Sequence, residues 1–157
     1  MKTKLTAADI MTPDVLMAYD GWSIKRLSEF LIQHKISGVP VITSDNRLVG
    51  VVTMSDIVQF ESQSEKEKTR LLEEVYAEFV GQHYDAALME QMAAKADENC
   101  TVSQVMTPEI IQVDEKSNLQ EVAYIMLEHG IRRIFVSQMG LISGVISTSN
   151  ILKAIAR

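Results

Sequence analysis

The chain has 157 residues, a mass of 17.6 kDa and a formal net charge of −6 at pH 7. An apolar fraction of 46% is too high for a disordered chain, and the acidic balance argues against sequence-independent binding to nucleic acid, which needs a basic face. The single cysteine, Cys100, excludes an internal disulfide. Residues 1–9 lack the apolar core of a signal peptide, and the longest uncharged stretch, 134–152, is too polar to span a bilayer. We therefore expect a cytoplasmic protein with no membrane segment.

An internal repeat organises the sequence. Met11-Thr12-Pro13 returns as Met106-Thr107-Pro108 at an offset of 95 residues, and Gly50-Val51-Val52-Thr53 returns as Gly144-Val145-Ile146-Ser147 at an offset of 94. Apolar positions between these anchors also coincide, and the missing residue falls in a turn-like segment, where a deletion costs little. The predicted division is a first repeat over residues 1–60, a helical insert over 61–100 and a second repeat over 101–157.

Each repeat predicts the same order of elements, β-α-β-β-α. In the first repeat, the apolar segment Val15–Met17 precedes a helix that ends near His34, two β-rich runs joined by a turn, and a closing helix from about Ser55. In the second repeat, Ser117 or Asn118 caps the first helix and a glycine follows it. Because a unit this small buries a marginal core alone, we expect two pseudo-symmetric units that pack together in a mixed α/β (α+β) fold.

The insert predicts two amphipathic helices hinged near Gly81. Apolar residues recur at helical spacing on both sides of this glycine, and their side chains must be buried somewhere. Packing on their own chain, a homodimer interface and a surface for a regulated partner remain open as alternatives. Because two-fold homodimers are the commonest soluble assemblies, we expect a homodimer. Its predicted contact surface includes Leu72, Val75, Phe79 and Met89.

The ordered motifs carry a family resemblance. The segments Ala8–Pro13, His34–Val41 and Gly50–Asp56, with their counterparts in the second repeat, resemble the cystathionine-β-synthase (CBS) domain. The resemblance implies a stand-alone pair of CBS domains, often called a Bateman module, whose clefts bind an adenosine-containing ligand and signal to a regulated protein. Candidate ligands are AMP, ADP, ATP and S-adenosylmethionine, and no cofactor is required. The alternative function is a ligand-free structural module for dimerisation or docking.

The resemblance also places the ligand residues where the last strand of each repeat meets the last helix. The hydroxyl of Thr53 or Ser147 would face a phosphate, because a helix N-terminus favours an anion. The Asp56 carboxylate would accept hydrogen bonds from the ribose hydroxyls, whereas the Asn150 amide has one acceptor oxygen and would hold a ribose more weakly. Apolar adenine-facing walls are expected from Ile36, Val39, Ile131 and Ile134, and phosphate contacts from Arg132 and Arg133.

Ordinary structural roles compete with these assignments. Thr53 and Asp56 fit a helix-capping box, and Arg132 and Arg133 fit a solvated surface pair. The histidines and Cys100 lack metal-ligand spacing, and no nucleophile, acid–base or phosphate-loop motif is present in the sequence. We therefore expect no metal site and no catalytic residue.

Overall fold

The computed structural model describes residues 4–80, 92, 94–108 and 110–157, with the backbone alone for 76–80. The chain forms two compact units. The first unit contains Met17–Asp45 and Val49–Pro108, and the second unit contains Met1–Leu16, Asn46–Leu48 and Glu109–Arg157.

The described elements follow the order β-α-β-β-α twice, which confirms the predicted mixed fold. No helix in the described ranges is long and apolar enough to cross a membrane. In chain order the elements are α1 (Ala7–Ile10), β1 (Ala18–Tyr19), α2 (Ile24–His34), β2 (Gly38–Ile42), β3 (Leu48–Thr53), α3 (Met54–Glu61), α4 (Glu65–Val80), α5 (Ala96–Asn99), α6 (Val102–Val105), β4 (Gln112–Asp114), α7 (Leu119–His129), β5 (Arg133–Gln138), β6 (Leu141–Ser147) and α8 (Thr148–Ile155).

The first unit contains a three-stranded sheet in the order β1-β2-β3. Strand β1 runs parallel to β2, with Ala18 opposite Val41, so the chain needs a crossover helix between them. Helix α2 supplies it. The helix begins because the Ser23 hydroxyl accepts a hydrogen bond from the N–H of Arg26 at 3.0 Å, and it ends where Lys35 adopts a left-handed conformation.

The second unit repeats this arrangement with the order β4-β5-β6. Strand β4 is parallel to β5, and β5 is antiparallel to β6, with Ile134 opposite Ile146. The β5–β6 turn places Met139 and Gly140 at φ 54° and 82°, the positive pair that a tight type I′ hairpin requires. This turn is the site of the one-residue deletion that separates the two repeats.

The opening segment of each repeat lies in the unit that the other repeat builds. Thr12 and Val145 exchange backbone hydrogen bonds of 2.8 and 3.0 Å, and Thr107 and Val51 exchange bonds of 2.8 and 2.9 Å. Helix α1 and residues 11–16 therefore belong to the second unit, and helix α6 with residues 106–108 belongs to the first.

The apolar positions that the repeats share form the core of each unit. In the first unit, α2, β2, β3 and α3 contribute the fully buried side chains Ile24, Leu27, Val41, Val52 and Phe60. In the second unit, the corresponding buried set includes Ala7, Val122, Val136, Ile134 and Ile146.

The described part of the insert packs on its own chain. Leu72 of α4 is fully buried in the first-unit core, beside Leu71 and Phe60. The prediction that Leu72 contacts a second copy is therefore wrong, because its side chain already completes this core. Val75 is half-buried, and the predicted interface residues Phe79 and Met89 lie outside the described side chains.

Candidate functional site

In the first unit, the junction between β3 and α3 brings Thr53 and Asp56 together. The Asp56 Oδ2 atom accepts hydrogen bonds from the Thr53 N–H at 2.8 Å and from the Thr53 hydroxyl at 3.2 Å. In return, the Thr53 Oγ1 atom accepts the N–H of Asp56 at 3.4 Å. These reciprocal bonds are a capping box, so the predicted structural role of this pair is confirmed.

The capping box uses only one oxygen of the Asp56 carboxylate. Within the described ranges, Asp56 Oδ1 has no hydrogen-bond partner, although the residue is half-buried. Neither of its lone pairs is used by the fold, so this oxygen is available to accept further hydrogen bonds.

The second unit builds the same junction with different chemistry. Asn150 Oδ1 accepts from the Ser147 N–H at 3.0 Å and from the Ser147 hydroxyl at 2.6 Å. Asn150 also donates through Nδ2 to the carbonyl oxygen of Ile10 at 2.8 Å and to the hydroxyl of Thr12 at 3.2 Å. The amide therefore caps α8 and also holds the opening segment.

A loop backbone is fixed beside each junction. The N–H of Met54 donates to the carbonyl oxygen of Ser37 at 2.8 Å, and the N–H of Thr148 donates to that of Arg132 at 3.1 Å. These bonds hold the backbone that directly follows Ile36 and Ile131 at the start of α3 and α8 respectively. Both isoleucines are half-buried, which leaves apolar surface beside each junction.

The other predicted site residues have mixed positions. Val39 is 3% exposed and Ile134 is 0% exposed, so both side chains are core residues that offer almost no surface to a ligand. Arg132 and Arg133 are exposed, and within the described ranges neither forms a salt bridge. At these two positions, which correspond to Ser37 and Gly38 of the first repeat, the second unit therefore presents exposed cations.

Two close contacts on the last strand of each unit, at Gly50 and Gly144, were not predicted from the sequence. A Cβ atom on Gly50 would lie 2.7 Å from Met106 Sδ and 2.8 Å from the Thr107 carbonyl oxygen, and one on Gly144 would lie 2.8 Å from Met11 Cγ. Each Met-Thr-Pro motif therefore crosses the last strand of the unit it joins at a glycine, where the absence of a side chain leaves room for the methionine. The recurrence of both motifs together was the signal that could have revealed this contact.

Groups suited to metal binding are not clustered in the described ranges. No set of three histidine, cysteine, aspartate or glutamate residues there could hold a metal ion. His34 lies on the exposed end of α2, with its ring 4.5 Å from that of Phe30. Cys100 is buried, and this burial raises the pKa of its thiol to about 11.

Comparison with known proteins places both repeats in one family model. The model of the CBS domain matches residues 7–62 and 102–157. The chloroplastic CBS domain-containing protein CBSX1 of Arabidopsis thaliana is 28% identical over 152 residues, which cover 95% of this chain and 63% of that protein. The chain thus spans less than two thirds of the length of CBSX1, and the same share, 63%, of chloroplastic CBSX2 from the same plant.

Solved structures show the same fold. The crystal structure of Arabidopsis CBSX2 in complex with AMP matches with a TM-score of 0.71 and 25% identity, over 97% of this chain and 96% of that one. A CBS domain pair in complex with methylthioadenosine and S-adenosyl-L-methionine matches with a TM-score of 0.65 and 19% identity, over 98% of each chain.

Proposed function

This chain belongs to the CBS domain family, and from that premise we propose that it is a regulatory module whose first unit binds an adenosine-containing ligand. The candidate ligands are AMP, ADP, ATP and S-adenosylmethionine. The observation that carries the proposal is the half-buried Asp56 carboxylate, of which one oxygen serves the capping box and the other has no partner in the described ranges.

A ribose fits the chemistry of the Asp56 oxygen. The two adjacent hydroxyls of a ribose are both donors, and Oδ1 has two lone pairs to accept them. Hydrogen bonds to a charged acceptor are the stronger kind, worth about 1.5–3 kcal/mol each. The capping bonds from Thr53 hold the carboxylate in one orientation, so its ordering is already complete before the ligand arrives.

The start of α3 suits the phosphate part of such a ligand. The N–H groups of the first helical turn are not used inside the helix and favour an anion. Here the Met54 N–H is bonded to Ser37 and the Asp56 N–H to Thr53, whereas that of Ser55 has no partner among the described residues. We assign the adenine to the apolar surface that the half-buried Ile36 offers beside this turn.

The relatives support the same ligand class. CBSX2, which is 25% identical to this chain in the structural comparison, was crystallised with AMP. Because the fold match covers 97% of this chain and 96% of the CBSX2 chain in that structure, we extend the nucleotide class to this protein. The alternative, a ligand-free structural module, is favoured only by the second unit, where Asn150 is already fully bonded.

We propose a regulatory rather than an enzymatic role. A bound nucleotide would change the protein only by stabilising one arrangement of the chain over another. A cytoplasmic location is part of the proposal.

We also propose that the chain acts as a homodimer. Two-fold homodimers are the commonest soluble assemblies, and helices α7 and α8 leave large apolar side chains exposed, among them Leu127 at 82% and Ile155 at 66%. Sedimentation equilibrium should give twice the chain mass. A monomer at micromolar concentration would contradict this part of the proposal.

A thermal shift screen tests the ligand class. AMP, ADP, ATP and S-adenosylmethionine are added separately, with guanosine monophosphate and inorganic phosphate as controls. A ligand at 100 times its Kd stabilises the native state by about 2.7 kcal/mol, which for a chain of this size raises Tm by about 5–10 °C. If none of the adenosine compounds raises Tm above the controls, the structural alternative replaces the proposal.

A further inference from the structure

Asn150 and Asp56 occupy equivalent positions but have different hydrogen-bonding states. From this difference we infer that the Asn150 side chain is a latch. It fastens helix α1 and residues 11–16, the opening segment of the first repeat, to the second unit, and it leaves the first unit as the single adenosine site. The latch consists of the two hydrogen bonds from Asn150 Nδ2 to the Ile10 carbonyl oxygen and the Thr12 hydroxyl. The inference rests on the proposed function and specifies where the ligand binds.

The amide of Asn150 has no capacity left for a ribose. An asparagine side chain offers two N–H donors and one oxygen with two lone pairs. Ser147 supplies two hydrogen bonds to the oxygen, and Ile10 and Thr12 accept the two donors. A ribose could bond to this amide only by displacing a partner, and a displaced group at a half-buried site loses a bond that water replaces poorly.

The latch supplies a hydrogen-bond donor to the Ile10 carbonyl oxygen at the end of α1. Helix α1 is only four residues long, Ala7–Ile10, and the last carbonyl groups of a helix have no partner within it. Ile10 is 8% exposed, so water has little access to its backbone. Asn150 therefore stabilises the end of α1, and the same side chain fastens Thr12 immediately after it.

The first unit cannot form this latch. The positions that correspond to Ile10 and Thr12 are Val105 and Thr107, but the Asp56 carboxylate has no N–H to donate to them. Residues 106–108 are paired to β3 of the first unit through the Thr107–Val51 backbone bonds. In the same way, residues 11–16 are paired to β6 of the second unit through the Thr12–Val145 bonds. The two units thus differ here by one atom. The nitrogen of Asn150 donates to the opening segment in the second unit, whereas the corresponding oxygen of Asp56 in the first unit is an acceptor without a partner in the described ranges.

A reciprocal exchange of these two residues tests the latch. Asp and Asn have the same shape, and both provide the acceptor oxygen that caps the helix, so Asn150→Asp removes the two donors and keeps the cap. The readout is backbone hydrogen exchange without any ligand. In the second unit the reporters are the N–H groups of Met11 and Thr12, which are bonded to Ala7 and Val145.

In Asn150→Asp we expect these two amides to exchange about ten-fold faster or more, since the Ile10 carbonyl oxygen loses its donor and then faces a carboxylate oxygen. In Asp56→Asn we expect slower exchange at Met106 and Thr107, because the new amide gains a donor for the opening segment of the first unit. Ser147→Ala is the control for a merely weaker cap, and it should leave the Met11 and Thr12 amides close to wild type. Unchanged exchange in Asn150→Asp, or equal acceleration in Ser147→Ala, overturns the latch.

Thr12→Val provides a second variant if Asn150→Asp does not fold. It keeps the shape of the side chain and removes one of the two acceptors, so a smaller acceleration at the Thr12 amide is expected. An amide that exchanges at the wild-type rate in Thr12→Val would count against the latch.

Calorimetric titration with AMP tests the single-site part of the inference. The wild type should saturate at one AMP per chain, and Asn150→Asp should approach two. Two equal sites in the wild type would overturn the inference. Absence of AMP binding to the wild type would instead refute the proposed function for this nucleotide, and the ligand-free hydrogen exchange would still decide whether the latch exists.

Discussion

Met106 occupies the space where a side chain on Gly50 would stand. A Cβ atom at Gly50 would lie 2.7 Å from Met106 Sδ and 2.8 Å from the Thr107 carbonyl oxygen. The methionine side chain could move, but Thr107 is held by its two backbone hydrogen bonds to Val51. The glycine therefore allows the opening segment of the second repeat to cross β3 at Gly50 and Val51, a few residues before Thr53.

Replacing this glycine should destabilise the protein. We expect Gly50→Ala to lower the free energy of unfolding by about 1–3 kcal/mol, the usual cost of forcing an extra carbon into a packed site. Urea unfolding measures the change. Gly21→Ala is the matched control, because nothing lies within 4 Å of a Cβ atom there. Equal stability of the two variants would show that the Met106 segment is not held tightly against the strand.

Leu72 should behave as a core residue and not as an interface residue. Its side chain is 0% exposed within the first unit, so Leu72→Ala leaves a cavity and should lower the free energy of unfolding by about 2–5 kcal/mol. Ile32→Ala, at a side chain that is 67% exposed, should change it by about 0.5 kcal/mol or less. Urea unfolding of both variants, at several protein concentrations, makes the comparison. If Leu72→Ala weakens self-association while unfolding is unchanged, the core assignment is incorrect.

The Cys100 thiol should make the protein less stable in alkaline solution. Burial raises its pKa from 9.0 to about 11 in the folded chain. Between these two values the unfolded chain has lost the proton that the folded chain retains, so unfolding becomes more favourable as pH rises. We expect the free energy of unfolding to fall more steeply between pH 9 and 11 in the wild type than in Cys100→Ala. Parallel pH profiles of the two proteins would contradict this prediction.

The fold could be predicted from the sequence because the internal repeat shows the pattern of each element twice. Ser23 and Asn118 both precede a helix that their side chains cap, and the apolar positions that coincide between the repeats are those that the two cores bury. Local chemistry therefore determined where these two helices begin, and the agreement of the two copies removed ambiguity about the order of the elements. It did not place the first strand, since β1 lies at Ala18–Tyr19, after the apolar segment Val15–Met17.

Two features could not be read from local pattern. The opening segments around Met11 and Met106 are too short to carry a signal for the unit they join, since that choice depends on contacts with strands more than forty residues away. The additional role of Asn150 depends on the same placement, because its donors are bonded to Ile10 and Thr12, far away in the sequence. The burial of Leu72 was equally undetermined, because an amphipathic helix indicates that it has a buried face without indicating which surface covers it.

The central claim is that Asp56 binds an adenosine-containing ligand, and calorimetric titration of AMP into Asp56→Ala tests it most directly. The matched control is Asp9→Ala, which removes another carboxylate that closes a capping box, through its bonds to Thr6, in the second unit. Loss of a charged acceptor costs about 1.5–3 kcal/mol, or roughly ten- to a hundred-fold in affinity. The account predicts this loss in Asp56→Ala and an unchanged Kd in Asp9→Ala. Wild-type affinity for AMP in Asp56→Ala would contradict it.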